Sequence, residues 1–164
     1  MERSSEDMLC KALDLTRKAL EFYKDAQARC PSRLGRAVFT LLVSDKLRQT
    51  TRLEEIHAAL AQGKTVANAC TLSEDDLQAS GRVFDELASR YGEGSKACKL
   101  ETELLSMALD VEQACLGFLE EQFRDAREQE NRTFLQRAIE EERGHFVLLS
   151  DMRYYYEQAG GSAG

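Results

Sequence analysis

The chain has 164 residues and a formal net charge of −7. This acidic balance disfavours nucleic acid and anionic membranes as partners, and no apolar run in the sequence is long enough to cross a bilayer. The length favours one domain over residues 1–164, and a single proline leaves long helices largely unbroken. The first ten residues, MERSSEDMLC, are too polar for a secretory signal. We therefore expect a cytoplasmic protein.

The first part of the chain predicts a hairpin of two helices over about residues 5–63. Apolar residues recur every three or four positions from about residue 5 to Arg29, which indicates a helix. Pro31 disfavours helix at the residue before it, and Ser32 can cap the helix that follows. Gly63 marks the end of this second helix, since glycine is the usual residue just beyond a helix C-terminus.

A connection is predicted over residues 64–94, because the helical periodicity is lost after Gly63. The segment that begins Ser73-Glu-Asp-Asp resembles a capping box with acidic residues in the first turn. We expect a short helix from there to about Tyr91, ended by the glycines that follow.

A second hairpin is predicted over about residues 95–158, with helices at about 95–126 and 130–158. We find no strand signal in the sequence. Four long helices in two hairpins predict an all-α protein, a four-helix bundle with a long connection that contains a short extra helix.

An internal repeat relates the two hairpins. When the chain is slid along itself by 96 positions, residues 12–23 (ALDLTRKALEFY) face residues 108–119 (ALDVEQACLGFL), with five identities. Shared leucines and alanines are common to amphipathic helices, but Asp14 and Phe22 also recur at the same offset. We interpret the pattern as a duplication, in which two copies bury apolar stripes that neither can bury alone.

The second copy contains residues of metal-ligating type. Glu142 and His145 are three positions apart, which places them on one helix face. Glu112 lies near the middle of the preceding helix. Carboxylates and imidazoles are ordinary ligands for iron, manganese and zinc, so these three residues are a candidate metal site.

These motifs resemble the rubrerythrin branch of the ferritin-like superfamily, whose members repeat a hairpin motif twice around a di-iron centre. The first element is matched by residues 12–23 except at the ligand, and the last is matched by Ile139-Glu-Glu-Glu-Arg-Gly-His145. The resemblance covers most of the chain outside residues 64–97. It implies a ferritin-like four-helix bundle and, by default, a di-iron peroxidase or ferroxidase. The rubredoxin module that many rubrerythrins carry at the C-terminus has no counterpart in this sequence.

The first copy departs from the family at the metal ligands. The 96-residue offset places Thr16, Lys46 and Gln49 opposite the ligands Glu112, Glu142 and His145. Two divalent ions would then face two carboxylates and an ammonium, an uncompensated positive charge in a low-dielectric core. We therefore do not expect a dinuclear centre.

Two interpretations of the centre remain open. In the first, Lys46 pairs with Glu112 and Glu142 without metal, and the protein is a non-catalytic structural or partner-binding module. In the second, Glu112, Glu142 and His145 hold one Fe, Zn or Mn ion in a metal-binding protein or oxidoreductase. Cys115 follows Glu112 on the same helix face, where it can either ligate or pack, and we favour packing.

Several other residues are singled out by type or spacing. The five cysteines include no CxxC pair, so we expect neither disulfides nor a four-cysteine site and place most of them in the core. Glu54 and His57 also spell Glu-x-x-His, but we interpret His57 as a surface histidine. At least one residue of the run Tyr154–Tyr156 should be exposed, which permits a homodimer without establishing one.

Overall fold

The computed structural model describes residues 2–63, 80–92 and 98–161. These residues form five α-helices and no strand, which confirms the all-α prediction, and none of these helices is both long and apolar enough to span a membrane. The helices in chain order are α1 (Glu2–Arg29), α2 (Arg33–Ala61), α3 (Ser80–Tyr91), α4 (Lys99–Asp125) and α5 (Gln129–Gly161).

The ends of α1 and α2 follow the predicted signals. The Ser32 hydroxyl accepts a hydrogen bond of 2.9 Å from the backbone N–H of Gly35, so Ser32 is the N-cap of α2. At the other end, Gly63 has a φ of +82°, a conformation that glycine adopts without steric cost. Both helix boundaries were therefore predictable from local residue chemistry.

Helix α4 begins at Lys99, later than the predicted start at residue 95. Cys98 is its N-cap and accepts from the Glu101 N–H at 3.4 Å. Cysteine is a weak acceptor and an uncommon cap, so the sequence carried no strong signal there. The predicted capping box at Ser73 lies outside the described residues, so the predicted start of that helix stays a prediction.

The apolar core is divided by a polar layer. Each of α1, α2, α4 and α5 buries apolar residues towards both ends, with polar residues between them. One part of the core includes Tyr23 and Phe39, and the other includes Leu9 and Ile56. The buried polar residues near the middle of these helices are Thr16, Lys46, Gln49, Glu112, Glu141, Glu142 and His145.

The internal repeat is visible in the helix boundaries. The repeat offset of 96 positions is also the separation of Lys46 and Glu142. When α4 and α5 are shifted back by this offset, α4 spans residues 3–29 and α5 begins at residue 33. These bounds nearly coincide with those of α1 and with the start of α2. The helices also pack as two pairs, α1 along α2 and α4 along α5, while α3 lies against α2 and α5.

The cysteines correct one expectation. Cys30 and Cys115 are buried, but Cys10 and Cys98 are exposed, so the prediction that most cysteines lie in the core is wrong for these two. All four are free thiols. Cys70 lies outside the described residues.

Candidate metal centre

Four charged or titratable side chains meet in the polar layer. Lys46 comes from α2, Glu112 from α4, and Glu142 and His145 from α5. Lys46 and Glu112 have no exposed surface at all, and the other two are less than a tenth exposed. Buried ionisable groups persist in proteins when they are paired, so their contacts decide what the centre can do.

Lys46 is the hub of this cluster. Its Nζ lies 2.9 Å from Glu142 Oε1 and 3.0 Å from Oε2, and 3.3 Å from Glu112 Oε1. Burial would lower the pKa of Lys46, but the negative charges of Glu112 and Glu142 outweigh burial and hold that pKa above its usual value. Lys46 is therefore a stable ammonium, and the ion pair predicted from the sequence is present.

The two glutamates differ in protonation. Burial, together with the charge of Glu142, raises the pKa of Glu112 to about 8 despite the nearby Lys46. The pKa of Glu142 lies well below its usual value because the positive charges of Lys46 and His145 overcome the effect of its burial. The fold therefore favours the ionised form more strongly at Glu142 than at Glu112. The Tyr23 hydroxyl donates to Glu112 Oε1 at 2.7 Å.

His145 is oriented by a second carboxylate. Its Nε2 lies 3.0 Å from Asp45 Oδ2, on α2 next to Lys46. Burial opposes protonation of His145, but the Asp45 hydrogen bond and the charge of Glu112 raise its pKa to about 10. The same contact lowers the pKa of Asp45, against the effect of its partial burial. The cationic forms of Lys46 and His145 thus face the carboxylates of Glu142 and Asp45.

The other ring nitrogen of His145 faces the glutamates without a hydrogen-bond partner. Nδ1 is buried and lies 3.7 Å from Glu112 Oε1 and 3.8 Å from Glu142 Oε2. One ligand atom from each of the three residues fits within 4.8 Å of the others. When Nε2 carries the only ring proton, the Nδ1 lone pair can bind a cation, and Asp45 would orient the ring from behind.

A second polar pair repeats this arrangement between the same two helices, α2 and α5. Gln49 Nε2 donates to Glu141 Oε1 at 3.0 Å, and the 96-residue offset maps this pair onto His145 and Asp45. Arg52 adds an ion pair to Glu141 at 2.7 Å. The two hairpins thus keep the same contact geometry with different chemistry, because an amide replaces the imidazole.

Two of the three lost ligand positions border a cavity of about 40 Å³. Thr16 and Gln49 line it together with Cys115, and Gln49 Oε1 is buried there without a partner. The Thr16 hydroxyl donates to the Ala12 carbonyl at 2.7 Å within its own helix. Burial raises the pKa of the Cys115 thiol to about 12, so Cys115 packs as a neutral thiol.

The donor set does not fit two divalent ions. The Lys46 ammonium occupies the space between Glu112 and Glu142, where the resemblance places bridging carboxylates around a pair of metals. One ion held by Glu112, Glu142 and His145 fits the donor types, but it would have to displace Lys46 from Glu142. Such an exchange costs the ion pair and leaves a buried ammonium to be compensated.

The remaining sequence candidates lie away from the centre. Glu54 binds Arg17 at 2.8 Å, so the Glu54-x-x-His57 motif does not act as a unit. Tyr154 is 63% exposed, which confirms that the tyrosine run cannot be buried throughout. Tyr155 packs edge-on against Phe84, with ring centroids 5.9 Å apart.

Sequence reasoning missed three residues of the cluster: Tyr23, Asp45 and Glu141. The internal offset contained a signal for two of them. It pairs residue 45 with 141 and residue 49 with 145, so an acid stands four positions before Gln49 and before His145 alike. Tyr23 carried no such signal, because a tyrosine in a helical apolar stripe is indistinguishable from ordinary core.

Comparison with known proteins adds no assignment. The chain matches no protein-family model, and neither a curated protein nor a solved structure is significantly similar to it.

Proposed function

We propose that the protein is a ferritin-like four-helix bundle of the rubrerythrin type that has lost its di-iron centre and acts as a structural or partner-binding protein. The resemblance of residues 12–23 and of the segment ending at His145 supports the ancestry. The near-coincident boundaries of the two hairpins support the duplication that such an origin requires.

The observation that carries this proposal is the position of Lys46. Its ammonium is fully buried and hydrogen-bonded to both oxygens of Glu142, at the middle of the four long helices. A fixed positive charge there stabilises the buried carboxylates electrostatically, which metal cations would otherwise do. Both buried glutamates are paired with Lys46 without any ion, so we expect folding not to depend on metal.

A second candidate function is a mononuclear metal site at Glu112, Glu142 and His145. It is favoured by the unpartnered Nδ1 of His145, which faces both carboxylates. Fe²⁺, Mn²⁺ or Zn²⁺ matches one imidazole and two carboxylates. In that case the three residues hold the ion, Asp45 fixes the ring, and Lys46 moves aside.

Metal analysis of the wild-type protein and of His145→Ala separates the two candidates. Both proteins are loaded with Fe²⁺, Mn²⁺ or Zn²⁺, desalted and assayed for bound metal. We expect no metal that depends on His145. One ion per chain that is lost in His145→Ala would establish the mononuclear site, and two ions per chain would overturn the proposal.

Restoring the missing ligands tests the ancestry. The variant Thr16→Glu/Lys46→Glu/Gln49→His gives the first hairpin the ligand types of the second. We expect this variant to bind two Fe²⁺ or Mn²⁺ ions per chain and to melt at a higher temperature with metal than without. A folded variant that gains no metal would show that these positions do not descend from a di-iron centre.

A further inference from the structure

A groove of about 520 Å³ lies between α2 and α3, outside the centre. Residues of α2 from Arg33 to Ser44 form one wall, and Leu87 and Tyr91 of α3 form the other. At about 1.5 Å per residue, the α2 wall is about 16 Å long. Sites for small molecules usually measure about 300–1,000 Å³, so the groove has the size of a ligand site.

The groove has an apolar floor and a cationic end. Ala37, Leu41 and Leu87 are part-buried and present hydrocarbon to it. Arg33 and Arg36 are exposed at the N-terminal end of the α2 wall, three positions apart and therefore on one helix face. A ligand that fills the groove thus meets hydrocarbon along its length and positive charge at one end.

The charges at this end favour an anion. No carboxylate is among the described residues that line the groove, although the chain as a whole has a net charge of −7. The Arg33 guanidinium lies over the ring of Tyr91, 5.7 Å from its centroid, and this contact holds the guanidinium at the groove. Within the described part of the chain, Arg36 has no ion-pair partner. Guanidinium groups bind carboxylates and phosphates through charge-assisted hydrogen bonds.

The size of the groove favours a small molecule over a protein partner. A stable protein interface involves about 20–30 residues on each side, whereas eight residues line this groove. A carboxylate with a short hydrocarbon chain matches both parts of the groove, because its chain can bury apolar surface while its head pairs with arginine.

We propose that the groove between α2 and α3 binds a small organic anion, a carboxylate with a hydrocarbon body. Arg36 and Arg33 hold the carboxylate, and the hydrocarbon body lies along Leu41 and Leu87. Binding makes and breaks no covalent bond. The site goes beyond the structural or partner-binding role proposed above, since it shares no residue with Lys46 or its partners.

Calorimetric titration of the full-length chain with octanoate tests the proposal. We expect one octanoate per chain. Octan-1-ol lacks the charge and acetate lacks the hydrocarbon chain, so each should bind at least about 10-fold more weakly.

Variants of the groove locate the binding. Arg36→Gln should weaken octanoate binding by about 10-fold or more, and Ala37→Phe should abolish it by filling the groove. Arg153→Gln removes the same charge from an exposed position on α5 and should bind octanoate as the wild type does. Circular dichroism of each variant verifies the helix content, so that lost binding is not lost folding.

Several outcomes would overturn the proposal. Octanoate could bind Arg36→Gln or Ala37→Phe as tightly as it binds the wild type, octan-1-ol could bind as tightly as octanoate, or octanoate could bind more weakly than about 1 mM. Binding of an acidic peptide but not of octanoate would assign the groove to a protein partner instead. None of these results depends on metal at the centre, so this proposal and the proposed function can fail separately.

Discussion

At an offset of 96 positions the two hairpins of this protein have nearly the same helix boundaries, but they contribute side chains of different chemistry to the centre. The second hairpin presents two carboxylates and an imidazole, whereas the first presents a hydroxyl, an ammonium and an amide. The equivalent pairs are Thr16 and Glu112, Lys46 and Glu142, and Gln49 and His145. Helix caps and apolar stripes determine where the helices lie, so the polar positions between them can diverge as long as the buried charges remain paired.

The first prediction removes the cation that distinguishes the first hairpin. Lys46→Met leaves the Glu142 carboxylate buried without its partner, and breaking a buried pair in this way costs about 3–5 kcal/mol. For a chain of this size the melting temperature should fall by about 6–20 °C. Arg17→Met breaks the exposed pair with Glu54 and should cost less than about 1 kcal/mol.

A double variant shows whether the loss arises from the stranded charge. Lys46→Met/Glu142→Gln removes both partners and should recover much of the stability lost in Lys46→Met. If the double variant is no more stable than Lys46→Met, the cost lies in packing and the charge argument fails.

The second prediction concerns the pH dependence of stability, because folding raises the pKa values of two buried groups at the centre, His145 and Glu112. The pKa of His145 rises from 6.5 to about 10, and that of Glu112 from 4.5 to about 8. A raised pKa stabilises the fold below the unfolded value, and this contribution is lost as the pH rises through the folded value. For His145 the loss occurs between about pH 6.5 and 10, at up to about 1.4 kcal/mol per pH unit.

Melting curves at several pH values test this dependence. Wild-type stability should decline from about pH 6.5 towards pH 10, and His145→Gln should show a shallower decline over the same interval. Parallel pH profiles for the two proteins would mean that His145 is not protonated in the fold.

The third prediction compares two glycines, one in each hairpin. A Cβ at Gly35 would collide with Cys30 Sγ and Glu101 Oε1, whereas a Cβ at Gly117 meets nothing within 4 Å. Gly35→Ala should destabilise the fold by about 1–3 kcal/mol. Gly117→Ala should stabilise it by about 0.5–1 kcal/mol, since alanine favours a helix interior. Denaturant unfolding of both variants measures the difference, and equal effects would contradict the close packing at Gly35.

The fourth prediction concerns the hydrogen bond from the Tyr23 hydroxyl, in the first hairpin, to Glu112. Tyr23→Phe removes the donor to Glu112 and should cost about 1 kcal/mol in unfolding free energy. Tyr154→Phe alters an exposed tyrosine and serves as the control, with no change expected. If Tyr23→Phe leaves the unfolding free energy unchanged, Glu112 finds other hydrogen-bond partners within the cluster.

Much of the fold was predictable from local chemistry, whereas the centre was predictable only in part. Ser32 and Gly63 gave helix boundaries directly, and the offset combined with the family resemblance predicted the contact of Lys46 with Glu142 as one of two interpretations of the centre. The contact of His145 with Asp45 depends on side-chain orientation across two helices, which periodicity does not encode. The predicted start of α4 was four residues too early, because its N-cap Cys98 is not among the residue types that usually cap a helix.

Lys46 and Glu142 are 96 positions apart, which is the offset of the sequence repeat, and they are in contact. In an assembly of two identical hairpins, a position that meets its own image must carry one residue type twice, so it would bring together two amines or two acids. Opposite charges can face each other there only when the two hairpins differ in sequence, as they do within this single polypeptide. The ion pair is therefore a feature that a fused gene product can have and a symmetric homodimer of hairpins cannot.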